Sequence, residues 1–197
     1  LQLVLQTVSK EEIRGVSIVD TYGQLNSQNL IYLIDQFRSY LSKEVTLGLH
    51  LHENLSNSML LIEKFCSIVL DRPTLIDASI YGMGRVPGNV PTELAATFLA
   101  ENYARNFDIS GLFEATAEVK QFKKDQTWGY SPLYAYSAIL GIDRSYAEFL
   151  ENKKISMKRS IEILDLFASK QVPVRFNSSL AEEIINLENA SEQTEFI

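Results

Sequence analysis

The sequence predicts an α/β fold with a parallel sheet, followed by a small α-helical domain. Two observations carry this prediction. Over residues 15–107, short β-branched runs alternate with amphipathic stretches, in three units of roughly the 30 residues that a β-α unit needs. From Ser110 onward, helix signals recur while strand signals almost disappear. Strands that alternate with helices form parallel sheets, and the change of character predicts domains at 1–109 and 110–197.

Local patterns predict the elements of the first domain. The run GVSIVD (15–20) is β-branched and leads into a turn-rich segment. In QNLIYLIDQFRSYL (28–41), apolar residues recur at helical spacing, and Asn26 or Ser27 is suited to cap the helix. The opening run LQLVLQ (1–6) predicts a further strand. The remaining strands are predicted at 44–51 and 73–82, and the remaining helices at 57–70 and from Pro91 onward.

The second domain is predicted to be helical. Ser131-Pro132 and Ser156 are suitable helix starts. The single strand candidate is VPVRF (172–176). Helices are predicted at 110–122, 131–142, 144–152, 156–170 and 179–188.

Composition argues against several classes of partner. The chain has 197 residues, a net charge of -7 and a pI near 4.9, and its one basic cluster (153–159) is interleaved with apolar residues. Because phosphate binding requires clustered Lys and Arg, we expect neither a nucleic-acid nor a membrane partner. Cys66 is the only cysteine, so no internal disulfide can form. No apolar run approaches the ~20 residues that span a bilayer, and we expect a cytoplasmic protein.

The two histidines of the chain, His50 and His52, both lie in GLHLHEN (48–54). Alternate side chains of a strand share a face, so the two imidazoles face one side and Leu49 and Leu51 the other. At the carboxyl end of a parallel strand such a pair can chelate a metal. The spacing alone leaves a metal pair and two hydrogen-bonded histidines equally open. Imidazoles suit Zn, Fe, Ni or Cu, whereas added oxygen ligands favour Mg or Mn.

Polar residues also follow the other two strands. Asp20 and Thr21 end the first strand, and the glycine-rich loop GMGRVPGN (82–89) follows the third. Its glycines permit tight turns, and Asn89 offers an amide oxygen just before a helix. By itself, such a loop is typical of a helix-entry turn. Three consecutive strands that end in polar residues match the way in which barrel active sites are assembled.

Three segments of the first domain resemble a known enzyme family. VDTYGQL (19–25), GLHLHENLS (48–56) and IDASIYGMGRVPGNVPTE (76–93) follow one another at β-α spacing. Together they resemble the DRE-TIM metallolyase (HMGL-like) superfamily, which includes hydroxymethylglutaryl-CoA lyase, the isopropylmalate and homocitrate synthases, and 4-hydroxy-2-oxovalerate aldolase. The aldolase branch is the most similar, because of HENLS and the helical segment that follows. The resemblance implies the C-terminal portion of a (β/α)8 TIM barrel, with its last three strands here, followed by a small α-helical domain.

The resemblance also implies roles for the matched residues. His50 and His52 would bind a divalent cation, Mn or Mg, and Asn89 would coordinate or support it. Thr21 would lie near the carboxylate or carbonyl of the substrate. The family's first strand supplies an Arg and an Asp that is a third metal ligand, and no such segment occurs in these residues. We therefore expect the natural chain to be longer.

A tyrosine from the helical domain assists proton transfer in the aldolase branch. Tyr130 or Tyr134, in WGYSPLYAY (128–136), would correspond, and the alternative is that both are packed aromatics beside Trp128. The implied function is a metal-dependent aldolase, a carbon–carbon lyase. It would cleave or form a C–C bond of a 4-hydroxy-2-oxo acid through a metal-stabilised enolate.

Two other functions remain open. One is a Claisen-type synthase that condenses an acyl-CoA with a 2-oxo acid, and the other is a non-catalytic barrel that holds a partner. Hydroxymethylglutaryl-CoA lyase is disfavoured, because its catalytic cysteine has no counterpart in the glycine-rich loop. Expected partners are the small 2-oxo acid, and either an aldehyde dehydrogenase, as in the aldolase branch, or a second copy of the chain. Exposed sheet edges favour dimers or aggregates.

Overall fold

The computed structural model describes residues 1–9, 12–124, 128–173 and 175–194. The chain divides into two compact units, Leu1–Tyr130 and Ser131–Ile197. The helix Ile109–Lys120 contacts the helix before it and belongs to the first unit. The division between the units thus falls after this helix, whereas the predicted domain boundary falls before it.

A three-stranded parallel sheet forms the centre of the first unit and confirms the predicted α/β class. The strands are β1 (Gly15–Val19), β2 (Thr46–His50) and β3 (Thr74–Asp77), in the order β1-β2-β3. In the pairing register Val19 lies opposite His50, and His50 opposite Asp77. The three strands therefore end at one level, which brings the loops that follow them together.

Helices connect and flank these strands, as the 3.6-residue periodicity predicts. They are α1 (Gln2–Val8), α2 (Ser27–Tyr40), α3 (Ser58–Ile68), α4 (Thr92–Tyr103) and α5 (Ile109–Lys120). Asn26 caps α2, since its side chain accepts a hydrogen bond from the Asn29 amide. Leu30, Ile34 and Phe65 are buried in the core between sheet and helices. Each such side chain contributes about 1.5–3 kcal/mol through the burial of its apolar surface.

The opening segment LQLVLQ is helical, and the prediction of a strand there was wrong. Leu1, Leu3 and Leu5 alternate as in a strand, but Leu3 is exposed and only Leu5 is buried within α1. α1 packs on α2 and has no pairing with the sheet. A period of two is therefore misleading in this segment, because it does not separate a buried from a solvated face.

The second unit is built from helices, as predicted. They are α6 (Pro132–Ile139), α7 (Arg144–Asn152), α8 (Met157–Ser169) and α9 (Ser178–Thr194). Tyr146, Leu164 and Phe167 are buried in its core. The strand candidate at 172–176 forms no strand at its four described positions, and position 174 lies outside the described residues. Within the described ranges, no helix combines the length and apolarity required to cross a membrane.

Candidate functional site

The two histidines lie together at the carboxyl end of β2. His50 is the last residue of the strand, and His52 follows it after one buried leucine. Their ring centroids are 5.0 Å apart, with the planes at 73°. The predicted alternation thus brings both imidazoles to one side, where a ligand could contact both.

His50 is oriented by a carboxylate of the neighbouring strand. Its Nδ1 lies 3.3 Å from Oδ2 of Asp77, and the two side chains are 32% and 39% exposed. Because a carboxylate only accepts hydrogen bonds, the proton of the ring lies on Nδ1. The lone pair of the neutral imidazole is then on Nε2, the atom that a metal would bind.

His52 is oriented in the same way by the main chain. Its Nδ1 lies 2.7 Å from the carbonyl oxygen of Asp20, at the end of β1. A carbonyl oxygen also only accepts, so Nδ1 donates and Nε2 of His52 keeps its lone pair. Both rings are thus fixed through Nδ1 by oxygen acceptors. This is the usual outer-shell arrangement of metal-binding histidines.

The carboxylate of Asp20 serves the loop after β1. It accepts hydrogen bonds from the amides of Gln24 and Leu25, each at 3.0 Å. Burial raises the pKa of the Asp20 carboxyl, although these hydrogen bonds and the nearby His52 act in the opposite direction. Asp20 therefore shapes the loop. Its neighbour Thr21, the predicted substrate-contacting residue, has an exposed side chain.

The glycine-rich loop brings Asn89 beside His52. The two residues form an isolated antiparallel bridge, and Asn89 Nδ2 donates to the carbonyl of Met83 at 3.0 Å. This bond fixes the amide and leaves Oδ1 as the atom for a cation. A Cβ at Gly84 would lie 2.7 Å from Asn89 Nδ2, so a larger residue at this position would displace the amide. The loop therefore determines the position of the amide.

Glu53 and Glu93 are two acidic residues to which sequence reasoning assigned no role. Glu53 accepts a hydrogen bond from the Ser58 hydroxyl, and burial raises the pKa of its carboxyl. Glu93 is only 5% exposed and accepts the amide of Tyr81 at 3.0 Å. Tyr81 has a positive φ of 57°, which this bond helps to hold. Glu93 follows Asn89 by four residues, a spacing that could have suggested a shared role in the loop.

A cavity of about 340 Å³ opens beside this loop. Its walls include Glu53, Asn89, Trp128 and Tyr130. Trp128 is buried, and its Nε1 donates to the carbonyl of Tyr81 at 2.7 Å. Tyr130 is 67% exposed, so its phenol is accessible from solvent at the rim. The structure thus brings one predicted tyrosine to the same cavity as Asn89.

Tyr134 lies in a different environment. It belongs to α6 in the second unit and is 2% exposed. A buried phenol is not accessible to a solvent-borne substrate. Of the two tyrosines named from the sequence, Tyr130 is therefore the more accessible.

Asn54 is a further residue of the site that sequence reasoning missed. It is fully buried in the loop after β2, and neither polar atom of its amide has a partner among the described residues. It packs so closely on Gly23 (φ 62°) that a Cβ at Gly23 would clash with it. The nearby Asn57 Nδ2 donates to the Leu25 carbonyl at 3.1 Å. These contacts connect the loops that follow β1 and β2.

The donor set fits part of a metal centre. His50 and His52 supply two Nε2 atoms, and Asn89 supplies an amide oxygen. Within the described residues there is no group of three His, Cys, Asp or Glu side chains that could hold an ion. Further ligands would have to be water, substrate or groups outside the described ranges. The mixture of imidazole and oxygen donors suits a divalent cation.

The fold is shared with enzymes of known structure, although no family model matches the chain. The N-terminal domain of a candidate aldolase from Bacteroides vulgatus is 26% identical, with a TM-score of 0.66 over 73% of this chain and 46% of that chain. A pyruvate carboxylase structure from Rhizobium etli is 11% identical, with a TM-score of 0.56 over 88% of this chain and 20% of that one. The carboxyl transferase domain of that enzyme is also 11% identical, with a TM-score of 0.54 over 78% and 26%.

The likeness to the candidate aldolase domain supports the metallolyase superfamily that the motifs suggest, without distinguishing its branches. The chain spans less than half the length of the candidate aldolase domain. The two carboxylase structures are too distant in sequence to show more than the fold. They nevertheless place the chain among folds used by enzymes.

Proposed function

We propose that these residues form part of a divalent-metal-dependent aldolase that cleaves or forms a C–C bond of a 4-hydroxy-2-oxo acid. The proposal rests on the orientation of the two imidazoles. Both imidazoles are fixed through Nδ1 by oxygen acceptors and present Nε2 at the same end of the sheet. The likeness to a candidate aldolase domain supports it.

The proposed architecture is a portion of a (β/α)8 barrel. Three parallel strands with helical crossovers are consistent with consecutive barrel units, and polar residues follow each strand at one end. The short length relative to the candidate aldolase domain is consistent with a portion of that fold. The activity is therefore proposed for the natural protein that carries these residues.

The residues have distinct proposed roles. His50, His52 and Asn89 would hold Mn or Mg. The cation would act as a Lewis acid on the 2-oxo acid and stabilise the negative charge that develops as the bond breaks. Thr21, exposed after β1, would donate a hydrogen bond from its hydroxyl to the substrate carboxylate. Tyr130, at the rim of the cavity that contains Asn89, would transfer a proton through its phenol.

The test is cleavage by the full-length natural protein. A 4-hydroxy-2-oxo acid is supplied with Mn or Mg, and the released 2-oxo acid is reduced by lactate dehydrogenase while NADH absorbance is followed. We expect metal-dependent turnover that His52→Ala abolishes and Gln28→Ala, an exposed change on α2, leaves unchanged. Thiol release from an acyl-CoA in the presence of a 2-oxo acid would instead identify a Claisen-type synthase. Absence of both reactions would refute the metallolyase proposal and favour the partner-binding alternative.

A further inference from the structure

A second cavity of the first unit lies away from the histidines. It has a volume of about 710 Å³ and is lined by the ends of α3 and α4 and the start of β3. His50 is level with Asp77, the last residue of β3, whereas Thr74 and Ile76 line this groove together with Arg72 before the strand. The groove therefore opens towards the amino end of the sheet, opposite the candidate metal centre.

Arg72 is the unusual residue of this groove. Its side chain is only 2% exposed, yet its nearest carboxylate oxygen, on Asp71, is 3.6 Å away. Its NH1 reaches the carbonyl of Ser42 at 3.4 Å, and its buried Nε has no partner in the described part of the chain. A guanidinium removed from water normally has close, well-aligned acceptors, because unpaired burial of a charge is costly.

Asp71 is held mainly by a different arginine. Its Oδ1 accepts NH2 of Arg38 at 2.8 Å, and Arg38 NH2 also donates to the carbonyl of Ile68 at 2.7 Å. One carboxylate therefore serves two guanidinium groups, and Arg38 has the closer contact. Arg72 shares this carboxylate through the longer contact of 3.6 Å, and its buried Nε has no acceptor in the described part of the chain.

The other lining residues of the groove carry no negative charge. None of the described residues that line it is Asp or Glu, and Arg105, exposed, adds a second positive charge. This occurs in a chain whose net charge is -7. One part of the wall is apolar and is formed by Cys66, Val69, Leu70, Ile76, Leu99 and Phe107, while Thr74, Tyr103 and Asn106 add polar groups.

We propose that this groove binds a small amphipathic carboxylate, with the carboxylate on Arg72 and an aliphatic or aromatic body along the apolar wall. The planar guanidinium matches a carboxylate through paired N–H donors. Such a ligand would supply an acceptor for Nε of Arg72, which has none, and would cover the apolar part of the wall. The site is separate from the metal centre, so the two proposals can be tested independently.

Isothermal titration of the full-length natural protein with octanoate tests the site. We expect binding that strengthens about fourfold for each added methylene from hexanoate to decanoate, because each methylene leaves water. Two control ligands separate the contributions of charge and apolar surface. Octanol has the same alkyl chain without the negative charge, and inorganic phosphate has negative charge without an alkyl chain. Binding of octanol as tight as that of octanoate would overturn the role of Arg72. Equally tight binding of phosphate would overturn the role of the wall, and failure of octanoate to bind up to millimolar concentration would overturn the site.

Variants locate the binding. Arg72→Met should weaken octanoate binding about tenfold or more, as expected for loss of a charged hydrogen-bond donor. Arg159→Met, a surface arginine paired with Glu162 in the second unit, should have no effect. Unchanged affinity in Arg72→Met would overturn the proposal. The proposal would also be overturned if Arg72→Met changed the association state of the protein and left its affinity for octanoate unchanged. The groove would then be a contact between copies of the chain.

A second pair of variants avoids the buried guanidinium. Leu70 is 76% exposed and lines the groove, whereas Leu60 is 58% exposed on α3 outside it. Leu70→Glu places a like charge beside the ligand and should weaken octanoate binding at least severalfold. Leu60→Glu has the same chemistry and should leave binding unchanged. Equal effects of the two changes would overturn the assignment of the groove.

Discussion

Removing the charge of Asp77 is the sharpest test of the candidate metal centre. Asp77 Oδ2 lies 3.3 Å from His50 Nδ1 and is the only described acceptor of that ring nitrogen. Asp77→Asn keeps an oxygen acceptor but loses the negative charge that makes the imidazole a better ligand. Asp77→Leu removes the acceptor as well, so the two variants separate the contribution of charge from that of orientation.

The geometry sets the expected size of the effect. Loss of an outer-shell partner typically costs 10–100-fold in metal affinity. Here the contact is long and both side chains are about one-third exposed, so solvent screens the interaction. We therefore expect Asp77→Asn to weaken Mn²⁺ binding about tenfold, equivalent to about 1.4 kcal/mol, and Asp77→Leu to weaken it further.

The assay measures free Mn²⁺ by electron paramagnetic resonance during titration of the full-length natural protein. Asp35→Asn, on α2, makes the same change in net charge away from the histidines and serves as the control. His52→Ala should lower the affinity more than either aspartate variant. If Asp77→Asn and Asp35→Asn have equal effects, Asp77 has no specific role. If His52→Ala binds Mn²⁺ normally, the metal centre itself is refuted.

Further predictions concern the core, the proposed proton donor, the ion pair and the sheet edges. Phe65→Ala should lower the free energy of unfolding by about 3–5 kcal/mol in urea titration, because Phe65 is fully buried. Tyr130→Phe should reduce kcat with little change in KM in the full-length aldolase assay, whereas Tyr134→Phe should mainly alter Tm; the reverse pattern would exchange their roles. The hydrogen bond from Arg38 lowers the pKa of the Asp71 carboxyl in the folded protein. This pair therefore stabilises the fold fully at pH values above the pKa of the unfolded carboxyl. The stabilisation is lost as the pH falls through the lower pKa of the folded state. The contribution should stay below about 1 kcal/mol and vanish in Asp71→Asn, as pH-dependent urea titration can show. Sedimentation of the 197-residue chain should show dimers or larger species, and a clean monomer would contradict the reasoning about unpaired strand edges.

Periodicity predicted most elements because burial in this fold follows it. The apolar stripe of α2 faces the core at Leu30, Ile34 and Phe37, as its spacing requires. Periodicity is misleading at LQLVLQ, where alternate leucines resemble a strand although the segment is helical and only Leu5 is buried. Pairing with a neighbouring strand decides such a case, and no local pattern contains that information.

In the candidate site, too, the local sequence pattern predicts some features while others depend on tertiary structure. Alternation along β2 was enough to place His50 and His52 side by side. The partners that orient them, the carboxylate of Asp77 and the carbonyl of Asp20, come from neighbouring strands and depend on the register of the sheet. The burial of Asn54 likewise results from packing between two loops. Each of these features requires tertiary structure.

The two histidines differ in how they would tolerate genetic drift. His50 depends on a side chain, and a single nucleotide change in the codon of Asp77 can remove its support. His52 is held by a peptide oxygen, which every amino acid at position 20 would still supply. Homologues should therefore vary first around His50, and a homologue that has lost the proposed metal centre would keep an ordered His52 longer than an ordered His50.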